Sequence, residues 1–283
     1  MAIPDAGTST VDKAFVEAYK NNVIFLCQQH PSKLRSTVDT MTVHAEVANV
    51  ERLGVREAVI KSTRHTLTPI LDVPHSRRKF GMDDYQWADL VDTEDEIRML
   101  ISPISEYAKA GAYAMNRAYD NIIIAAASAD ATDGDGTAVP LPADHKIAAG
   151  ATGMTMDKVL EAKQILDEGE VDKDNRYMVV NSAAMIAMLG TTEVSSSDFN
   201  SIKALVRGEF STWLGFHWIQ TELVDATKML AYHKSGIRLG IGRDVVTKID
   251  DRPDVSYAKQ CYLAFTAGAS RMEECKVVEI GVA

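Results

Sequence analysis

Several groups of residues in this chain have the right chemical types for catalysis or ligand binding, and each fails on spacing. Gly236, Gly240 and Gly242 in SGIRLGIGRD suggest a phosphate loop. They lack the GK[ST] ending of a nucleotide-binding loop, and their G-x-x-x-G-x-G order is not the dinucleotide fingerprint. The glycines therefore read as backbone freedom or close packing. Asp130, Asp133 and Asp135 beside Gly134 and Gly136 suggest calcium, but no twelve-residue register supplies the alternating ligands, the central Gly and the closing Glu together. That stretch reads as a solvated turn. Seven histidines (His30, His44, His65, His75, His145, His217, His233) are scattered without HxH or HExxH spacing, and Ser182 lacks a GxSxG elbow. Cys27, Cys261 and Cys275 form no CxxC and read as reduced thiols. The residues point to no catalytic set, metal site or cofactor. Trp213, Phe216 and Trp218 in WLGFHW read as a core or interface anchor rather than a ligand pocket.

Charge is where the spacing is informative. Seven cations, Arg52, Arg56, Lys61, Arg64, Arg77, Arg78 and Lys79, lie in one stretch of extended character. Seven acids with no base among them follow at once: Asp83, Asp84, Asp89, Asp92, Glu94, Asp95 and Glu96. Such an arm and such a face can neutralise each other within one subunit, or across neighbours, where they build an array. The candidate contact residues are the seven cations with Asp92, Glu94, Asp95 and Glu96.

The elements that would hold them follow from periodicity. Residues 10–29 have helical spacing, and His30-Pro31 ends the run. Residues 36–82 are β-compatible and carry Pro69 and Pro74; the pattern predicts a long hairpin or loop, without a large apolar cluster at its tip, that needs something to lie on. Thr93 to Glu96 fits a capping box. Apolar positions from Ile97 to Ile123 recur at i, i+3/i+4, and Pro103 starts a helix to about Ser128, roughly 39 Å long at about 1.5 Å per residue. On that helix Arg117 and Asp120 are spaced for a local ion pair. Further helices are expected at 155–168, 182–189 (capped by Ser182) and 198–206. Strands are expected at 176–181, 216–222, 228–233, 245–249, 257–267 and 271–282.

Composition excludes some classes. A net charge of −10 argues against a free-standing sequence-specific DNA binder, but not against enclosing nucleic acid without gripping it. No apolar run is long enough to span a bilayer, so no membrane partner is expected, and MAIPDAGTSTVDKAF lacks a signal-peptide pattern.

In order along the chain, RLGVREAVIKSTRHTLTP with SRRKFGMDDYQWADLVDTED, the helix SPISEYAKAGAYAMNRAYDNIIIAA, RYMVVNSAAMIAML, SSDFNSIKALVRGEFSTWLGFHWIQTELV, and YHKSGIRLGIGRDVVTKIDDRPD before closing strands resemble the tailed-bacteriophage major capsid proteins of the Hong Kong 97-like fold. The resemblance covers nearly the whole chain. It implies an α+β fold: an N-terminal arm (1–43), an extended loop lying on the adjacent subunit (44–91), a peripheral domain with a spine helix (92–150 and 244–283), and an axial domain (151–243). It also implies pentamers and hexamers in an icosahedral shell around double-stranded DNA contacted non-specifically, a portal, assembly in the host cytoplasm and residence in the virion. The short stretch before the loop implies a separate scaffolding protein. Two other readings remain beside it: an encapsulin-like compartment shell, and an α/β enzyme using the 151–243 module.

Overall fold

The computed structural model describes residues 31–65, 67–92, 103–189 and 212–283. The expected helices at 10–29 and 198–206 and the capping box at Thr93 lie outside them. The chain divides into two compact units. Of the described residues, the first holds Pro31, 84–92, 103–118 and 243–266; the second holds 32–65, 67–83, 119–189, 212–242 and 267–283.

Three strands and a helix build the first unit: parts of β4 (Asp83–Val91), β11 (Ile237–Arg252) and β12 (Ala258–Arg271), and the start of α1 (Pro103–Ser128). β12 lies between β11 and β4. Tyr85 stacks on Phe265, with ring centroids 4.9 Å apart and planes 8° from parallel. Helix and sheet meet closely at Gly111: a Cβ there would stand 2.7 Å from both Leu263 and Trp87, so any side chain would force the two apart. Pro103 opens α1, where its missing N–H is no loss. Gly111, Met115, Tyr119, Ile123 and Ala127 are all buried, a single stripe at four-residue spacing along the helix.

Two sheets dominate the second unit. The five-stranded sheet has the order β7 (Lys146–Ile147), β13 (Val277–Gly281), β10 (Lys228–His233), β8 (Arg176–Val180) and β9 (His217–Gln220). β10 runs antiparallel to both neighbours, while the β7–β13 and β8–β9 pairs are parallel. Its central strands read as unbroken apolar runs because both faces are covered. α2 (Met156–Glu168) packs on β13 and buries Val159, Ala162 and Leu166. α3 (Ser182–Leu189) follows β8, and its cap is Asn181, not Ser182: the Asn181 Oδ1 accepts the Ala184 N–H at 2.7 Å. The four-stranded sheet runs β2 (Val47–Leu53), β3 (His75–Gly81), β5 (Ala131–Asp133) and β6 (Ala138–Val139), all antiparallel. β1 (Asp39–Thr42) pairs in parallel with the opening of β11. Under β2 and β3 lies a small core of Val43, Ala48, Phe80 and Met272.

Polar groups fix the loops of this unit. Asp120 is fully buried on α1 and accepts from Ser32 Oγ (2.6 Å), Lys33 N (3.0 Å) and Leu34 N (3.1 Å). Asp120, spaced for a local ion pair with Arg117, is also a hub that ties residues 32–34 to the helix. Lys158 points its ammonium at four carbonyls, Ala149 (2.7 Å), Thr152 (2.9 Å), Gly153 (3.0 Å) and Gly281 (2.9 Å), stitching the 149–153 turn to β13. Trp213 and Phe216 exchange backbone hydrogen bonds around a two-residue turn whose centre, Leu214 and Gly215, is left-handed. Trp218 closes on Trp213, with rings 5.7 Å apart. The aromatic cluster is an anchor, as its sequence suggests. Gly240 in β11 faces Phe80 and Val43, so the glycine-rich stretch serves close packing.

His233, at the end of β10, accepts the Ser235 N–H on Nδ1 at 3.2 Å. Burial, and next the positive charge of Lys276, hold its imidazole below the ordinary 6.5, against the pull of Asp172. The unfolded chain therefore binds the extra proton first, so this contribution is intact above about pH 6.5 and is lost as pH falls from there through the folded value. In urea unfolding of the unassembled subunit between about pH 7.5 and pH 5, His233→Asn, which keeps a side-chain acceptor, is expected to flatten the fall in stability seen in the wild type. Parallel slopes in the two proteins would refute that role.

Candidate functional site

The feature that no fold needs for itself is the connection between β2 and β3. Seven residue pairs hold the hairpin root, from Val47 opposite Gly81 to Leu53 opposite His75. Gly54 N then donates to Pro74 O (2.8 Å) and Arg56 Nε to Asp72 O (2.9 Å). The described residues between Arg56 and Asp72 form no helix or strand. The loop's side chains face water: Val55 is 92% exposed, Ile60 90%, Leu67 93% and Ile70 96%, with Leu53 and Val59 also exposed. The loop therefore carries isolated, exposed apolar side chains and no apolar cluster, as its sequence suggests. Scattered exposed apolar residues are ordinary on a protein surface; these lie on one loop with no core beneath them.

The seven cations do not act together. Arg56, Lys61 and Arg64 are exposed on the loop. Arg77 donates Nε to Glu51 Oε1 (2.7 Å) on the facing strand. Lys79 is half-buried and Arg78 is 1% exposed, paired with Glu274. Arg52 donates Nη1 to Met272 O (2.6 Å) and lies 3.8 Å from Glu274. Of the acids, Asp92 is exposed, and Glu94, Asp95 and Glu96 fall outside the described residues. Asp84 accepts from the Thr266 hydroxyl within the first unit. Charge reversal at Arg77, Arg78 and Lys79 together would strike the fold at Arg78, so it cannot isolate a surface role. Sequence reasoning missed Glu274, whose partner Arg78 lies 196 residues away, and Arg271, whose carbonyl partners Ala129 and Val139 lie 142 and 132 residues away. No local signal announces such a pairing.

Among the described residues no group of His, Cys, Asp and Glu is placed to hold a metal. Asp135 Oδ1 accepts the Thr137 N–H at 2.9 Å, and that bond first of all lowers its carboxyl below the usual range; the aspartate stretch is a turn. No described helix is long and apolar enough to cross a membrane.

The described residues thus combine a hairpin that ends in an exposed loop, a 26-residue helix and a closing β tail. Residues 11–283 match the family described as Phage capsid protein, and the chain belongs to that family. No curated protein matches it. The capsid structure of the cyanophage P-SCSP1u is similar over 100% of this chain and 97% of that one, with a TM-score of 0.77 at 15% identity. The capsid of Ralstonia phage GP4 is similar over 100% and 98%, with a TM-score of 0.74 at 8% identity. The capsid of a native GTA particle covers 98% and 100%, with a TM-score of 0.70 at 14% identity. The fold is the Hong Kong 97-like capsid fold, and the chain is a major capsid protein, a structural component of the virion.

Glu274 is the carboxylate on which Arg52, Arg78 and Arg271 converge. Glu274→Gln is expected to destabilise the unassembled subunit by about 2–4 kcal/mol, because buried guanidiniums lose their counter-charge. Denaturant unfolding checks this, and a loss below about 0.5 kcal/mol would mean that the arginines are held by backbone carbonyls alone.

Proposed function

We propose that this capsid protein assembles through pentamers and hexamers into an icosahedral shell that encloses the double-stranded DNA of a tailed phage, without enzymatic activity. The observation that carries the reading is the loop between β2 and β3, whose apolar side chains have no partner surface on their own hairpin. In this reading residues 44–91 lie on the adjacent subunit and residues 1–43 form an arm. Residues 92–150 with 244–283 form the peripheral domain, and residues 151–243 form the axial domain whose tips meet at the symmetry axes. The net charge of −10 suits a wall that encloses DNA without gripping it. A separate scaffolding protein and a portal are the expected partners, and assembly takes place in the host cytoplasm.

Two forces act at the loop contact. Burying one exposed Ile or Leu is worth about 1.5–3 kcal/mol. An exposed ion pair is worth about 0–1 kcal/mol and is screened by salt. Val55, Ile60, Leu67 and Ile70 therefore supply the adhesion. Arg56, Lys61 and Arg64 steer the loop toward acids such as Asp92 and the run Glu94, Asp95 and Glu96 on the neighbour. Arg52, Arg77, Arg78 and Lys79 contribute by holding the root of the loop in place. Because each subunit repeats the contact around the shell, a small loss per contact is multiplied.

Electron microscopy of two variants separates these roles. Ile60→Asp with Ile70→Asp is expected to abolish shells, tubes and rings while leaving the thermal midpoint of the subunit within about 2 °C of wild type. Arg56→Glu with Lys61→Glu and Arg64→Glu is expected to slow assembly at low salt and to matter less as salt rises. Normal particle yield from the apolar pair would refute docking by the loop.

A further inference from the structure

Four backbone carbonyls converge on one point where the tail of the chain meets the turn before α2. Lys158 Nζ lies 2.7 Å from Ala149 O, 2.9 Å from Thr152 O, 3.0 Å from Gly153 O and 2.9 Å from Gly281 O. An ammonium has three N–H donors, so four acceptors are one more than its hydrogen bonds can serve singly. Its hydrogen-bond partners among the described residues are carbonyls alone. Burial, the larger influence, works against the charge on Lys158, and Glu161 nearby favours it.

The backbone is shaped to hold these oxygens together. Gly150 and Ala151 are consecutive left-handed residues, with φ of 58° and 54°, and a side chain such as that of Ala151 is rarely found there. The tail comes against the turn at Gly281, where a Cβ would stand 2.7 Å from Ala149 N and 3.0 Å from Ile147 O. Glycine is what lets its carbonyl come so close. The same oxygens serve other donors: Ala283 N donates to Thr152 O, and Thr152 N and Oγ1 to Ala149 O, each at 3.1 Å. Lys158 also stands in the first turn of α2, where the helix dipole favours an anion. The carbonyls, and not the helix, explain a cation at this position.

We propose that the 149–153 turn and Gly281 form a site for a monovalent cation of potassium or ammonium size, and that Lys158 fills it from within the chain. Calcium holds its oxygens at about 2.3–2.6 Å and magnesium at about 2.0–2.1 Å, both closer than this cage sets them. Carbonyl oxygens without a carboxylate are what replace the water around potassium, and ammonium is nearly the same size. Because the cation is part of the chain, the tail stays closed on the turn whatever ions are in solution. Shortening Lys158 vacates the site together with the space of its stem, so that an ion from solution can enter.

The test is thermal unfolding of Lys158→Ala, as the full unassembled chain, in the chlorides of potassium, ammonium, sodium and choline at matched ionic strength. In choline its midpoint is expected to fall about 5–10 °C below wild type. Potassium and ammonium are each expected to restore about half of that loss along a saturating curve, and sodium clearly less. Wild type, whose site is filled, and Lys158→Met, which occupies the stem's space without a charge, are expected to respond no more to potassium than to choline. Equal midpoints of Lys158→Ala in all the salts would overturn the proposal, and so would the same potassium gain in Lys158→Met. A gain as large in sodium would overturn the assignment by size. If Lys158→Ala is unfolded in choline, circular dichroism reads whether potassium folds it, and a chain that stays unfolded in every salt also overturns the proposal. The readout is the stability of the single subunit, so it stands apart from the shell reading.

Discussion

A loop of about twenty residues carried on two strands cannot bury its own side chains, because a two-stranded ribbon has no interior. That constraint governs how this subunit is put together. The loop's apolar residues must find their cover elsewhere, so the root has to present them without collapsing. The chain answers with a pinned root. β2 and β3 pair over seven residues, Phe80 and Ala48 sit in a local core, and the tail supplies Glu274 to Arg52 and Arg78. In the proposed shell the root holds the loop in place and the loop supplies the adhesion.

The rest of the second unit is held together in the same manner. Its apolar layers are ordinary, but its connecting segments are fixed by single polar groups that each gather several partners. Asp120 collects residues 32–34, and Lys158 collects four carbonyls from two segments. Each satisfies backbone groups that a turn would otherwise leave to water, and each does so with a charge that is mostly buried. A subunit that must keep its outline under load benefits from such multi-point ties, since breaking one leaves a charge without partners.

Much of this was legible in the sequence. Pro103 and the repeating apolar positions after it placed α1 to the residue, and Met156–Glu168 and Lys228–His233 followed from equally regular patterns. Local chemistry was less reliable. Asn181, not Ser182, caps its helix, because either residue can cap and only the backbone geometry decides which does. The spacing of Asp120 to Arg117 is local and legible, but three further partners of Asp120 lie 86 to 88 residues away and are not. The seven cations looked like one arm because they are close in sequence. The strand pairing separates them: alternation turns Arg78 inward beside Glu274 while Arg77 faces Glu51. Long-range pairing has no period and no motif, and it decided the fate of most of the charged residues.

The exposed loop also limits how long a free subunit can last. Extended backbone with few internal hydrogen bonds is the form a protease active site accepts, and Arg56, Lys61 and Arg64 lie along it, exposed to water. Among the described residues these peptide bonds are the most open to cleavage, and in the proposed shell a neighbour would cover them, so that incorporation would race degradation.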